Sequence, residues 1–377
     1  MQILHIYKDY YPVLGGIENH VKLLAEGQAA AGHDVTVLVT SRSARTQEEM
    51  RNGVTVIKCA RLVQAASTPM SLVMPWWVAR QRPDITHLHF PYPPGELSQW
   101  PHLSRRPTVL SYHSDIVRQK RLAALYGPAM RLILRRVDRI LVGSPNYLAS
   151  SVVLRQVQQR CTVVPYGIRQ KPFQEVAPID VESVSRRHGP GPWVLFVGVL
   201  RYYKGLEYLV EAMNQVHGRL LIVGDGPERE ALRALALRLG DRVVFAGAIP
   251  DSELPAYYGA ASVFCLPASE RSEAFGLVQV EALASSLPII STELGTGTSY
   301  VNEDGVSGVV VPPRDPAALV AALNRVLDDP ALRARLANGA LARARAFTAE
   351  RMLSDVEGVY ARVLKERARR GERTAEP

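Results

Sequence analysis

Ser272-Glu273-Ala274-Phe275-Gly276-Leu277-Val278-Gln279-Val280-Glu281-Ala282-Leu283 carries a short polar run into an apolar, helix-forming one. The residues just before it, 263–266, are apolar and read as a buried strand. Strand, loop and helix in that order form the repeating half of a parallel α/β unit. The amides of Phe275, Gly276 and Leu277 fall at the start of the helix, where no intrahelical carbonyl accepts from them. Backed by the helix dipole, such amides suit an anion such as phosphate. Glu273 lies just ahead of the helix and Glu281 on its early turns. Carboxylates are poor partners for phosphate but accept hydrogen bonds from sugar hydroxyls. These residues alone leave two readings open: a capped core helix with a solvated Glu281, or a site for a ligand that carries both phosphate and sugar.

Outward from 272–283 the alternation of strand-like and helix-like segments continues. In the second half, residues 193–198, 219–223, 243–245 and 288–291 read as strands, with helical segments at 205–217 and 228–239. In the first half, 3–7, 35–40, 54–58, 84–89, 108–112, 139–142 and 162–164 read as strands. Ile17, Val21, Leu24 and Ala25 share one face of a helix over 17–31. The fold class is therefore α/β, with two Rossmann-like, doubly wound parallel sheets in tandem. Such sheets bind ligands beyond the carboxyl ends of their strands, and two of them facing each other form a cleft. Residues 169–192 contain Pro172, Pro178, Pro190 and Pro192 and read as the linker between domains at 1–170 and 171–348. A final helical segment, 349–377, is expected to cross back to the first domain.

The chain of 377 residues suits two domains, each long enough to bury a core. Residues 1–7 show no basic leader or cleavage site, and no stretch of about 18 apolar residues occurs, so a cytoplasmic protein is expected. Cys59, Cys161 and Cys265 fit no metal or redox spacing and read as small core residues. The net charge of +9 is uneven: residues 1–170 hold 21 Lys+Arg against 10 Asp+Glu, or +11, which leaves −2 for 171–377. A basic half attracts phosphorylated substrates or anionic lipid. Its basic residues are not interleaved with stacking aromatics, which argues against a nucleic-acid partner. Apolar and basic residues do interleave over 116–139, which reads either as a buried helix with a solvated charged face or, through Arg131, Arg135, Arg136 and Arg139, as a surface for an anionic membrane. Trp76-Trp77 reads as core, with contact to lipid or acceptor as the alternative.

Several other residues carry chemistry. Gly198-Val199-Leu200-Arg201-Tyr202-Tyr203-Lys204-Gly205 follows a strand, so Arg201 and Lys204 stand beyond its carboxyl end, where they would meet an anionic ligand. Gly15-Gly16 follows the first strand and lets a ligand approach the backbone. The G-x-G-x-x-G of a dinucleotide site is absent there. His113 follows another strand. His87 and His89 read as strand residues and not as metal ligands. No Asp-x-Asp occurs in the segments expected at the cleft, so neither an essential metal nor a cofactor is expected.

Taken as an ordered set, the E-x7-E spacing of Glu273 and Glu281, Gly15-Gly16, Gly198…Lys204-Gly205 and Gly224-Asp225-Gly226-Pro227 resemble retaining GT-B enzymes, in particular glycosyltransferase family 4. The resemblance spans nearly the whole chain. It implies that Glu273 binds hydroxyls of a donor sugar and Glu281 the ribose. It further implies that Gly16 lies near the donor phosphate and the acceptor, and that His113 reaches the donor sugar or diphosphate from the opposite domain. Ile249, Phe275, Gly276 and Leu277 complete the implied donor set, and His113, Arg201, Lys204 and Glu273 the catalytic one. The family usually has arginine directly after the glycine of 198–205. Here that position is Val199, with Arg201 two residues on.

The implied partners are a nucleotide-diphosphate sugar donor and a glycan or lipid-linked acceptor, with an anionic membrane surface at the inner face of the cell membrane. Tyr202-Tyr203-Lys204-Gly205 and Arg271-Ser272-Glu273 are similar to segments of bacterial mannosyl- and rhamnosyltransferases of surface polysaccharides, which points to a mannose-type hexose. The alternatives are a nucleotide-sugar epimerase of similar fold and a non-catalytic sugar-nucleotide-binding protein.

Overall fold

The computed structural model describes residues 1–13, 15–65, 68–116 and 120–375. The chain forms two compact units, one of Met1–Pro165 with Ala349–Pro377, the other of Tyr166–Thr348.

The first unit is built on strands β1 (Gln2–Ile6), β2 (Asp34–Thr40), β3 (Gln47–Arg51), β4 (Val54–Cys59), β7 (Ile85–Phe90), β8 (Thr108–Tyr112), β9 (Arg139–Val142) and β10 (Cys161–Val163). Between β4 and β7, β5 (Val63–Ala65) and β6 (Thr68–Met70) form a separate antiparallel hairpin. The main sheet runs β10-β9-β8-β7-β1-β2-β4-β3, and only β3 is antiparallel to its neighbour. Strands such as Ile85–Phe90 and Thr108–Tyr112 are buried along their whole length, as the central strands of a parallel sheet must be when helices cover both faces. Strand order reverses direction between β1 and β7, and the loops that hold Gly15-Gly16 and His113 leave the carboxyl ends of β1 and β8.

Helix Ala349–Ala375 belongs to this first unit. It buries Met352, Val356, Val359, Tyr360 and Val363, an apolar stripe at helical spacing. Gly27 of helix Gly16–Ala30 leaves room for it, since a Cβ there would lie 2.5 Å from Leu353 Cδ1. Arg367 clamps Asp138 through two bonds of 2.8 and 2.9 Å, and Arg139 meets Glu366 at 2.6 Å.

In the second unit, β11 (Trp193–Val197), β12 (Arg219–Val223), β13 (Val243–Gly247), β14 (Val263–Leu266), β15 (Ile289–Thr292) and β16 (Gly308–Val311) form a wholly parallel sheet in the order β13-β12-β11-β14-β15-β16. Its order reverses between β11 and β14, and a doubly wound sheet binds ligands at such a switch point.

Some sequence expectations change. Residues 169–192 lie inside the second unit and form helices Lys171–Gln174 and Pro178–His188. Pro172 and Pro178 stand in the first positions of those helices, where a missing N–H costs nothing, so these prolines mark helix starts. Trp76 is 53% exposed, with the Arg80 guanidinium over its ring, while Trp77 is half-buried. Strand β3 went unread because Gln-Glu-Glu-Met-Arg has no apolar alternation. As an edge strand it pairs on one side only.

Two glycines have opposite expected effects. Gly224 has φ +132°, and a Cβ on it would lie 2.0 Å from the Gly198 carbonyl oxygen, so Gly224→Ala forces apart the loops after β11 and β12. Gly358 is an exposed helical residue with open space around it. Gly358→Ala should stabilise by about 0.5–1 kcal/mol, and Gly224→Ala should destabilise by more than about 2 kcal/mol. Thermal melts of the two variants should therefore move in opposite directions. A Gly224→Ala melt equal to wild type would refute the interlock.

Candidate functional site

Loops from the two switch-point strands of the second unit place its main charged groups. After β11 the chain turns through Gly198 and a short helix at Tyr202–Lys204 to Gly205, which has φ +65°. A Cβ on Gly205 would lie 2.2 Å from the Pro267 carbonyl oxygen, so this turn rests on the loop that leaves β14. The Ser269 amide donates to the Tyr203 carbonyl at 2.9 Å and ties the two loops together. The result is a buried ion pair, with Lys204 Nζ 2.5 Å from Glu273 Oε2 and each side chain about 10% exposed. Burial by itself lowers an ammonium pKa, but the Glu273 carboxylate and Tyr203 outweigh it and hold Lys204 above its ordinary value. Arg201 is exposed one turn away.

The Glu273 loop is clamped from behind. Thr296 Oγ1 donates to the Glu273 carbonyl at 2.9 Å and the Gly297 amide to the Ala274 carbonyl at 2.7 Å. Gly276 stands before helix Leu277–Ala284 with φ 77° and ψ 60°, where a Cβ would lie 2.6 Å from Gln279 Nε2 and 2.9 Å from Leu266 Cδ2. The Phe275 ring packs edge-on against Tyr166 and Phe347 in the core. Leu277 is half-buried, and so is Ile249, in the loop after β13.

Glu281 receives a 2.7 Å hydrogen bond from Tyr258, which also donates to the Val278 carbonyl at 3.2 Å. Desolvation pushes the Glu281 carboxyl up to about 7, while the Tyr258 bond and the charge of Lys204 pull the other way. Lys204 thus acts on both carboxylates of the E-x7-E pair. Sequence reasoning missed Tyr258. Its signal is weak, a tyrosine in the helix Leu254–Ala260 and distant in sequence from the motif.

In the first unit, Gly16 is the exposed first residue of its helix, next to Gly15. Glu18 folds back over Gly15, where a Cβ would lie 2.1 Å from Glu18 Oε2, and Lys8 pairs with Glu18 at 3.6 Å. His113 is buried. It does not stand alone: five of the nine histidines, His5, His20, His87, His89 and His113, are packed together. His5 and His87 come from β1 and β7, His89 from β7, and His20 from helix Gly16–Ala30. Burial lowers all five, His5 to about 4 and His20 to about 3, so the cluster is neutral at physiological pH. Nitrogens of His5, His87 and His89, and of His20, His89 and His113, lie within 4.8 Å of one another. Sequence reasoning treated His87 and His89 separately and did not single out His5 or His20. The alternate residues His87 and His89 share one face of β7, and the parallel register of β1 and β7 pairs His5 with His87.

Comparison with known proteins gives a consistent picture. Residues 182–343 match the family model described as glycosyl transferases group 1, and residues 14–170 the model described as glycosyltransferase family 4. The chain is 37% identical to an O-antigen chain mannosyltransferase C of Escherichia coli, over 98% of this chain and 100% of that one. It is also 37% identical to the D-rhamnosyltransferase WbpZ of Pseudomonas aeruginosa, over 93% of each. Among solved structures, a sucrose-phosphate synthase from Thermosynechococcus elongatus superposes with a TM-score of 0.80 at 25% identity, covering 97% of this chain and 99% of that one. Anabaena HepE in complex with UDP shares the fold, with a TM-score of 0.79 at 19% identity over 96% of this chain and 100% of that one.

The raised carboxyl of Glu281 makes stability depend on pH. A folded-state pKa above the unfolded value favours folding fully below about 4.5, and that contribution is lost as pH rises through about 7. Wild type should therefore lose melting temperature relative to Glu281→Gln between pH 5 and 7, and the difference should level off above that. A constant difference across the range would show that Glu281 is not held protonated by burial.

Proposed function

We propose, for a chain that belongs to glycosyltransferase family 4 and carries a group 1 glycosyl transferase domain, that it moves a mannose-type hexose from a nucleoside diphosphate to a glycan or lipid-linked acceptor with retention of configuration. The observation that carries this reading is the buried Lys204–Glu273 pair at the switch point of the second sheet. A cation and a carboxylate side by side can serve the two ends of a sugar phosphate, the ammonium its phosphate oxygens and the carboxylate its hydroxyls. Both relatives named above are transferases, which disfavours the epimerase and non-catalytic readings.

In this mechanism the acceptor hydroxyl approaches the anomeric carbon on the face that the diphosphate leaves. The bond from that carbon to the phosphate oxygen breaks, the bond to the acceptor oxygen forms, and the departing phosphate oxygen takes the hydroxyl proton. Lys204 and Arg201 offset the charge that grows on the leaving group, with Arg201 in the part usually taken by an arginine at the Val199 position. Glu273 orients the sugar, Glu281 holds the ribose, the amides of Phe275, Gly276 and Leu277 meet phosphate, and Ile249 borders the nucleotide. His113 and Gly16 act on the sugar-phosphate from the first unit. No cofactor or metal enters this scheme.

Lys204→Met and Glu273→Gln should each cut transfer from GDP-mannose by about 10²-fold or more, the usual effect of removing one charge-stabilising group. Glu281→Ala should weaken GDP binding by about tenfold in isothermal titration, whereas His113→Ala should lower kcat and leave GDP affinity unchanged. Equal loss of GDP affinity in the last two variants would sink this division of roles.

The reading extends to the membrane that a lipid-linked acceptor occupies. In helix Lys120–Arg136, Ile133 and Leu134 are buried while Arg131, Leu132, Arg135 and Arg136 are exposed. Residues 117–119 of the basic stretch lie outside the described residues. Arg139 is engaged with Glu366 and offers less to lipid. Leu62, Val63, Met70, Leu72, Val73 and Trp76 are exposed on and after the β5–β6 hairpin. Among the described residues no helix is long and apolar enough to cross a membrane. Docking from the surface is what basic and apolar side chains of this kind support. Sedimentation with anionic vesicles should exceed that with neutral ones, fall with added salt, and drop when Arg131, Arg135 and Arg136 become Gln. Equal binding to both vesicle types would remove the membrane from the proposal.

A further inference from the structure

Beyond the carboxyl ends of β1, β2 and β4 lies a cleft of about 290 Å³ lined by Asp9, Arg42, Arg61, Gln64 and Pro69. All five belong to the first unit. Asp9 follows β1, Arg42 follows β2 and Arg61 follows β4, and the sheet sets these three strands side by side in that order. Neighbouring strands stand about 4.8 Å apart, so the loops that carry the carboxylate and the two guanidiniums span roughly 10 Å.

The cleft is held together by its own hydrogen bonds. The Tyr92 hydroxyl lies 2.5 Å from Thr40 Oγ1 at the end of β2 and donates to the Pro69 carbonyl at 3.3 Å, which ties the β5–β6 hairpin to the sheet. Arg61 Nε donates to the Ser41 carbonyl at 2.8 Å and Nη1 to Gln64 Oε1 at 2.7 Å. A guanidinium carries five N–H donors, so Arg61 is fixed in place and still has donors to spare. Arg42 is exposed, and among the described residues no side chain pairs with its guanidinium. Two arginines against one aspartate leave the cleft with a net positive charge, which calls for an anion.

The two ends of the cleft differ. Asp9 sits on the loop that runs on to Gly15-Gly16. At the hairpin end, Leu62 follows Arg61, Val63 precedes Gln64 and Met70 follows Pro69, and all three apolar side chains are exposed. Across the cleft the order is therefore carboxylate, guanidiniums, apolar hairpin.

We propose that this cleft seats the acceptor, and that the acceptor is an amphiphile whose saccharide is joined to its lipid through phosphate. Asp9 accepts from a saccharide hydroxyl, Arg42 and Arg61 hold the phosphate, and the chain leaves across Leu62, Val63 and Met70. The order of groups along such a molecule is the order of side chains across the cleft. An uncharged glycan would leave both guanidiniums without a counter-ion, and a plain anionic lipid would bring its phosphate to the cleft with nothing for Asp9 to accept from. The assignment rests on the transferase reading above and deepens it by naming the link between glycan and lipid.

The test is isothermal titration of the full chain with decyl glucosyl phosphate, beside glucose phosphate, which has no tail, and decyl glucoside, which has no phosphate, all below micelle formation. The complete probe should bind at least about tenfold more tightly than either truncated one, since each lacks either the apolar chain or the charge. Arg42→Gln should weaken the complete probe by about tenfold or more, the scale of one charge-assisted hydrogen bond, and leave affinities for decyl glucoside and GDP unchanged. Arg42 has no internal bond to lose, so this variant is expected to fold, whereas Arg61 also holds its own loop. Leu62→Ser with Val63→Ser should weaken the complete probe and spare glucose phosphate. Asp9→Asn removes a negative charge, so it should tighten decyl phosphate while weakening decyl glucosyl phosphate. Tightening of both would mark a site for any anionic lipid and overturn the proposal. Wild-type affinity for the complete probe in folded Arg42→Gln would overturn it as well. No turnover of GDP-mannose with this binding pattern intact would instead fault the donor reading and not the cleft.

Discussion

Taking an ammonium and a carboxylate out of water is expensive, and the Lys204–Glu273 contact is stable only because two loops are held rigidly enough to keep the charges together. Much of the second unit is organised around that requirement. Gly205 exists as glycine because the Lys204 turn touches the Pro267 carbonyl, and Gly224 because the loop after β12 touches the Gly198 carbonyl. Thr296 and Gly297 brace the Glu273 loop from the next crossover. The parallel sheet brings the carboxyl ends of β11 and β14 side by side, so residues far apart in sequence meet without a long excursion of either loop.

The first unit treats its buried polar groups differently. Five imidazoles in one core would repel strongly if charged, and burial keeps them neutral. Neutral rings still need partners, and the row from Gln28 to His113 supplies them for His5, His89 and His113, while Tyr360 and Ser111 supply them for His87. A buried network is stable when its members are satisfied and costly when one is missing, which ties His5, His89 and His113 to one another and to Gln28. The contrast is one of charge: the second unit keeps an ammonium and a carboxylate in contact, and the first keeps its imidazoles neutral.

The sheet strands were largely legible because buried parallel strands are continuous apolar runs. Residues 108–112, 139–142, 219–223 and 263–266 coincide with observed strands. Elements without an apolar run were not. Strand β3 is polar, and the prolines of 169–192 look the same in sequence whether they open helices or loosen a linker. At the site, Lys204, Glu273 and Glu281 were legible from motif spacing, but Tyr258 and Gln28 were not. Each acts through a contact between segments remote in sequence, 23 residues apart for Tyr258 and Glu281 and 23 for Gln28 and His5, with no local pattern to announce it.

Tyr360 shows how such remote contacts shape the fold itself. Helix Ala349–Ala375 follows the second unit in sequence yet completes the first, and its apolar stripe alone would account for that docking. Arg367 on Asp138 fixes the helix along its axis, since a fork on a carboxylate tolerates little sliding. With that register set, Tyr360 is the residue that reaches the polar core, between Gln28 and His87. A phenylalanine there would satisfy the apolar stripe equally well and leave the Gln28 amide held on one side only. The hydroxyl is therefore explained by the histidine row rather than by packing, and the last helix of the chain contributes to the order of a network whose far end is His113.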